Sequence, residues 1–173
     1  MFRRSLAMLI IIAICITGAS AATQMQFALG LTSSGFGIKM SKPQDGKFST
    51  SFDEAVLDAD LVLDFEKGHG MVVGLKPDFS KSIVGFRTGY AYVDSLGAKA
   101  DMLITAGLGL TLGSTTTIGA FAGIAFNLKV MSNMFFRVGT GVDMEFVTFS
   151  SSGTKADITI LMPLPSVSIG WNF

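Results

Sequence analysis

The feature that most constrains this chain is an alternation of period two, recurring segment after segment, which sorts the ionisable side chains within those segments onto one side. Successive side chains of a strand point to opposite faces, so such alternation marks strands whose two faces meet different surroundings. Met102, Ile104, Ala106, Leu108, Leu110 and Leu112 oppose Asp101, Leu103, Thr105, Gly107, Gly109 and Thr111. Ile118, Ala120, Ala122, Ile124, Phe126 and Leu128 oppose Gly119, Phe121, Gly123, Ala125, Asn127 and Lys129, where only Phe121 is out of keeping. Val84, Phe86, Thr88, Tyr90 and Tyr92 oppose Gly85, Arg87, Gly89 and Ala91. Phe136, Val138, Thr140, Val142, Met144 and Phe146 oppose Arg137, Gly139, Gly141, Asp143 and Glu145. Leu57, Ala59, Leu61, Leu63 and Phe65 oppose Asp58, Asp60, Val62, Asp64 and Glu66, and Met71, Val73 and Leu75 follow.

Eight strands are expected, at roughly 24 to 40, 54 to 66, 70 to 76, 82 to 93, 99 to 112, 116 to 131, 134 to 149 and 156 to 173. The first changes phase at Ser33-Ser34-Gly35, which reads as a bulge or bend, and the last breaks at Pro163-Leu164-Pro165. An even number of strands suits a closed antiparallel barrel, so the expected fold is all-β: an eight-stranded up-and-down transmembrane β-barrel. Its connections at 67 to 69, 94 to 98 and 132 to 133 share one end, and those at 41 to 53, 77 to 81, 113 to 115 and 150 to 155 share the other.

Lipid is the surrounding that explains the sorting. Lys39, Asp58, Asp60, Asp64, Glu66, Arg87, Asp101, Lys129, Arg137, Asp143, Glu145 and Asp157 all fall on the less greasy face, and a charge facing the bilayer midplane costs a barrel about 2 to 4 kcal/mol. A mean hydropathy of +0.54 with 20 glycines points the same way. The alternative is a soluble, lipocalin-like barrel with the greasy face around a ligand. Its outer face would then be rich in Lys, Glu and Asp, whereas here that face is mostly Gly, Ala, Ser and Thr, which fit the lumen of a narrow barrel. A helical span is a weaker reading of Met102 to Leu128, a stretch of 27 residues without a charge, because Gly113-Ser114-Thr115-Thr116-Thr117 interrupts it and period two runs on both sides.

The N-terminus has the three parts of a secretory signal: Arg3-Arg4, the apolar stretch from Leu6 to Thr17, and small residues from Gly18 to Ala22. Residues 1 to 22 are expected to form a cleavable signal-peptide helix, cut after Ala21 or Ala22, with 23 to 173 as the barrel domain. The only cysteine, Cys15, follows the bulky Ile14 rather than a small residue, against a lipoprotein signal, and is expected to leave with the signal. Cleavage removes two of the 13 basic residues and none of the 13 acidic ones, which leaves no basic footprint for nucleic acid.

The terminal Val167-Ser168-Ile169-Gly170-Trp171-Asn172-Phe173 resembles the last strand of outer-membrane β-barrels. With the signal and the strand count, the chain resembles the small eight-stranded group that includes OmpX, OmpW and the OmpA transmembrane domain. That resemblance implies export through the general secretory pathway to the outer membrane, with the 67, 94 and 132 turns in the periplasm. It implies contact with outer-membrane lipid, handling by periplasmic chaperones, and recognition of Trp171 and Phe173 by the barrel-assembly machinery. Aromatic girdles are expected at both interfaces: Phe27, Tyr90, Tyr92, Phe135, Phe136, Trp171 and Phe173 at the periplasmic ends, and Phe48, Phe52, Phe79, Phe146 and Phe149 at the other rim. No wall-binding domain is expected after Phe173.

No catalytic, cofactor or metal residues are expected. Some barrels resembling this one act on lipid acyl chains, but a serine activated by histidine is needed for that, and the only histidine, His69, falls in a turn as a solvated residue. One histidine without cysteine makes a poor zinc site. The candidate site is a lumenal charge network of Asp58, Asp60, Asp64, Glu66, Arg87, Asp101, Lys129, Arg137, Asp143 and Glu145, in which the carboxylates of the second strand pair with Arg87, Lys129, Arg137 and Lys39. Such pairing would plug the lumen. The expected function is a non-enzymatic barrel giving porin-like minor permeation of small solutes or a structural role; the alternative is a surface adhesin or host-interaction protein using the segment Ser41 to Asp53.

Overall fold

The computed structural model describes residues 24–33, 36–40, 46–49, 55–150, 153–155, 158–162 and 165–173. The expected signal-peptide helix lies outside the described residues. The strands are β1 (Gln24–Ser33), β2 (Phe36–Met40), β3 (Gly46–Ser49), β4 (Ala55–Glu66), β5 (His69–Asp78), β6 (Ile83–Ser95), β7 (Ala100–Leu112), β8 (Thr116–Lys129), β9 (Met134–Ser150), β10 (Gly153–Lys155), β11 (Ile158–Met162) and β12 (Ser166–Asn172). Eight close a ring in the order β12-β1-β4-β5-β6-β7-β8-β9, with β9 back on β12. Every pairing is antiparallel. At the seam Phe27 faces Trp171 and Leu29 faces Ile169.

The first and last expected strands each arrive in two pieces, divided at the phase change and at the proline pair. Proline offers no N–H to a ladder, and the wall is rearranged there. Beyond the break β11 pairs with β9 and β2, while β2 pairs with β3. Part of the link expected as a loop at 41 to 53 is thus a strand, folded back on β2. The strand expected at 70 to 76 is longer, His69–Asp78. The turn before it shrinks to Lys67-Gly68, with φ of 52° and 82°, the left-handed pair that a two-residue hairpin requires. Glycine is needed there, since a Cβ at 68 would sit 2.1 Å from the Val93 carbonyl oxygen.

Register fixes the shape. A row of paired residues runs from Phe135 through Gly170, Ala28, Asp60, Gly74, Arg87, Gly109 and Gly119 to Glu145. One circuit therefore returns to β9 ten residues further along than it left. At about 3.3 Å per residue and about 4.8 Å between strands, that climb tilts the strands by about 40°, as transmembrane barrels require.

The two faces separate as the alternation demands. Leu29, Leu31, Tyr90, Ile104, Leu108, Ile124, Phe126, Leu128, Val138, Val167 and Ile169 stand exposed on the outside, Leu108 at 63 %. Inside, Val62, Val72, Ala91, Leu103 and Phe121 form one buried cluster. Phe121 is therefore not misplaced: it fills the lumen. In β9 a bulge around Phe146 sets Gly119 opposite Glu145 but Ile118 opposite Val147. Beyond it the odd positions Val147 and Phe149 take over the outer face, which the unbroken alternation expected of 134 to 149 did not foresee. Phe135 departs from the expected girdle, since it is 1 % exposed with its ring against Gly170, inside the barrel. The side chains of Phe48 and Phe52 lie outside the described residues.

Candidate functional site

The turn end of the barrel, where β1 begins and β12 ends, is filled first by polar groups. Asp101 is paired with Asn127 across β7 and β8, which puts Lys129 within diagonal reach; its Nζ lies 2.9 Å from Asp101 Oδ1. One step further in, the Arg137 guanidinium donates through Nε to Asn127 Oδ1 at 2.7 Å and through Nη2 to Gln26 Oε1 at 3.2 Å. The Asn127 amide donates to the same Gln26 oxygen at 3.1 Å. Phe135 closes the layer, its ring centroid 5.0 Å from the Arg137 guanidinium. Gln26, Asn127 and Arg137 are all buried, so these bonds satisfy groups that would be costly to leave unpaired; Arg137 Nη1 alone of this set makes no hydrogen bond among the described residues.

Beside them lies the apolar cluster around Val62, Leu103 and Phe121, with Val62 directly across from Gln26, and above both the principal ion cluster. Asp58 and Asp60 alternate inward from β4, and Arg87 reaches them from β6. The strand between contributes Gly74, where a Cβ would lie 2.4 Å from Arg87 Nε and 2.5 Å from Asp60 Oδ1. Only a residue without a side chain lets the guanidinium lie across the wall. Arg87 Nε donates to Asp60 Oδ1 at 3.0 Å, and Nη2 donates to Asp58 Oδ1 and Oδ2 at 3.1 and 3.0 Å and also to Asp60 Oδ2. Phe121 lies beneath, 5.7 Å from the Arg87 guanidinium carbon to the ring centroid. Arg137 Nη1 approaches Asp60 to 4.0 Å from below. Higher again, Lys76 of β5 crosses to Asp143 of β9 at 3.2 Å.

Among the described residues the lumen keeps small cavities, of about 70 Å³ in mid-barrel and about 140 Å³ towards the loop end. Lys76, Arg87, Phe121 and Asp143 border both. They hold space for a few waters each.

Of the ten residues expected to form the network, Asp58, Asp60, Arg87 and Arg137 come together. Lys129 turns to Asp101 rather than to the β4 carboxylates, and Asp143 to Lys76. Glu145 borders the loop-end cavity, and Asp64 lies opposite Gln24 and Gly70. Glu66 stands apart at the turn end, exposed and 3.7 Å from Lys67. The side chain of Lys39 lies outside the described residues. Gln26, Asn127, Lys76 and Phe135 were not among the expected site residues; the first three carry the signal of polar side chains in phase with the inward face. His69 is not a free turn residue either. It heads β5 on the outer face, against Tyr90 and Tyr92.

A closed ring of eight tilted antiparallel strands, apolar outside and ion-paired within, defines the class of small transmembrane β-barrels. Solved structures agree. OprG from Pseudomonas aeruginosa matches with a TM-score of 0.55 at 10 % identity, over 88 % of this chain and 97 % of its own. Ail, the attachment invasion locus protein of Yersinia pestis, matches at 0.54 and 9 % identity, over 87 % and 98 %. A de novo designed transmembrane β-barrel matches at 0.54 and 12 % identity, over 86 % and 95 %. The fold is shared; that a designed barrel shares it equally well shows how little the fold says about function. No family model matches the chain, and no curated protein matches it in sequence.

Proposed function

We propose that the protein is a non-enzymatic barrel of the outer membrane whose lumen is sealed, so that its role is structural rather than conductive. The observation that carries this is how fully side chains occupy the lumen: Lys129–Asp101, Arg137 with Asn127, Gln26 and Phe135, the apolar cluster, and Arg87 with Asp58 and Asp60 interlock across it. The cavities of about 70 and 140 Å³ left beside these groups hold a few waters each, and Arg87, Arg137 and Lys129 are already engaged with carboxylate or amide oxygens across the lumen. The outer-membrane setting is supported by the lipid-facing wall and by the kind of proteins that share the fold. In this reading the tight turns face the periplasm, a signal over residues 1 to 22 directs export, and Trp171 and Phe173 are read by the barrel-assembly machinery after periplasmic chaperones release the chain. Planar-bilayer recording of the folded protein tests the seal: a quiet, folded barrel is expected, and discrete conductance steps would overturn it.

A second reading, surface interaction, has one observation in its favour. β3 ends the sheet order and pairs only with β2 among the described residues, and an open edge invites strand addition by a partner. Loss of cell-surface adhesion on deleting residues 41 to 53 would support it.

A further inference from the structure

The chain's one histidine stands outside the lumen, in a place the sealed-barrel reading does not use. His69 opens β5 directly after the Lys67-Gly68 turn, opposite Tyr92. Its Nδ1 lies 2.5 Å from the Tyr90 hydroxyl, and its ring centroid lies 5.0 Å from that of Tyr92 and 6.0 Å from that of Tyr90. A neutral imidazole carries one N–H and a phenol one O–H. One of those two protons is spent between Nδ1 and the hydroxyl. Whichever tautomer is present, the pair keeps one donor for an outside acceptor, either His69 Nε2–H or the Tyr90 O–H, and Tyr90 is 48 % exposed.

Two residues earlier, Lys67 is 82 % exposed, and its 3.7 Å contact is with a Glu66 almost equally exposed. Such a pair holds neither group firmly. The corner therefore combines an ammonium and an unspent donor, with the exposed carboxylate of Glu66 as the competing acceptor in the turn. It belongs to the same aromatic belt as Phe27 and Trp171, whose rings stack at 6.4 Å. Such belts mark the depth at which an apolar wall meets lipid headgroups. A headgroup phosphodiester is anionic, and its oxygens accept hydrogen bonds without donating any.

We propose that His69, Tyr90 and Lys67 form a binding site for the phosphodiester of a phospholipid in the leaflet that meets the turn end. This rests on the membrane reading above. The test titrates the full-length folded protein in detergent with phosphatidylglycerol and follows bound lipid by native mass spectrometry. The double variant His69→Phe with Tyr90→Phe is compared with Lys99→Met, which removes an exposed charge from a neighbouring turn. Heat-modifiable mobility establishes that each variant is folded. Lipid affinity should fall about tenfold in the double variant, which removes both protons of the pair and so the charge-assisted hydrogen bond, and stay level in Lys99→Met. Equal affinity in all of them would overturn the site. Glycerol phosphate binding as tightly as the lipid would also overturn it, since the corner would then read soluble phosphate. Failure of the protein to insert into vesicles at all would instead overturn the membrane reading.

Discussion

Replacing Arg87 with methionine removes the one cation that lies between two inward carboxylates. The side chains of Arg87, Asp58 and Asp60 are 18 %, 12 % and 14 % exposed, so water in the adjoining cavity only partly replaces the guanidinium. Breaking a buried pair by deleting one partner costs about 3 to 5 kcal/mol, because a charge is left without compensation. Two effects pull in opposite directions here: both aspartates are stranded, yet Arg137 at 4.0 Å offsets part of the charge on Asp60. A loss of about 3 kcal/mol is therefore expected for Arg87→Met. Asp58→Asn leaves Arg87 bound to Asp60 and should cost about 1 kcal/mol. The double variant Arg87→Met with Asp58→Asn removes one positive and one negative charge, so it should be less destabilised than Arg87→Met alone, a coupling of the sign a double-mutant cycle isolates. Urea unfolding in lipid, followed by the fluorescence of the only tryptophan, Trp171, measures all of them. Additive losses, or an Arg87→Met loss below about 1 kcal/mol as for an exposed pair, would refute a buried, mutually dependent cluster.

Other outcomes follow from the same geometry. Gly74→Ala places a methyl against Arg87 and Asp60 and should destabilise by about 2 kcal/mol, the range for overpacking, with only part of that loss absent when Arg87 is already methionine. Leu108→Arg puts a charge at the most exposed mid-wall position and should cost about 2 to 4 kcal/mol in bilayers; unfolding titrations in lipid vesicles check it, and no loss would contradict a lipid-facing wall. At the loop end, Asp78 accepts from Ser80 Oγ at 2.6 Å and from Lys81 N at 3.1 Å, and these bonds hold its carboxyl below the usual carboxylate range. A depressed folded value means that the support this group gives to its turn is present above the ordinary carboxylate pKa and is lost as pH falls through the folded one. The protection of the Lys81 amide against exchange, taken relative to its intrinsic rate at each pH, should therefore fall on acidification, and Asp78→Asn should weaken that dependence.

The wall was legible in the sequence because lipid and lumen impose opposite chemistries at a period of two, and even the two breaks in the outermost strands announced themselves through a phase change and a pair of prolines. The inside was legible only in its composition. Which carboxylate meets which cation depends on register, and register brings Asp60 and Arg87 together across Gly74 although a whole strand separates them. Lys129 was expected to seek the β4 carboxylates, but Asp101 lies within diagonal reach on the adjacent strand. Lys76 stood at the end of a strand whose limits were two residues too short, and so escaped notice. Phe135 and Phe121 show the limit of counting aromatics. A ring belongs to a girdle or to a plug according to parity, and Phe135, beside the outward Phe136, has the parity of the plug.

The seam between β1 and β12 carries a consequence for how the molecule comes into being. Met25 and Phe173 exchange backbone hydrogen bonds of 2.9 and 3.2 Å, so the pairing that completes the circle joins segments almost the whole chain apart. Contacts so remote in sequence are slow to form. Until β12 arrives, β1 and β9 each present a row of unpaired amides and carbonyls, the condition in which strands recruit the wrong partner. A chain built this way is most prone to aggregate during the interval between emergence of its first strand and docking of its last, and anything that shelters β1 through that delay governs how much of it matures.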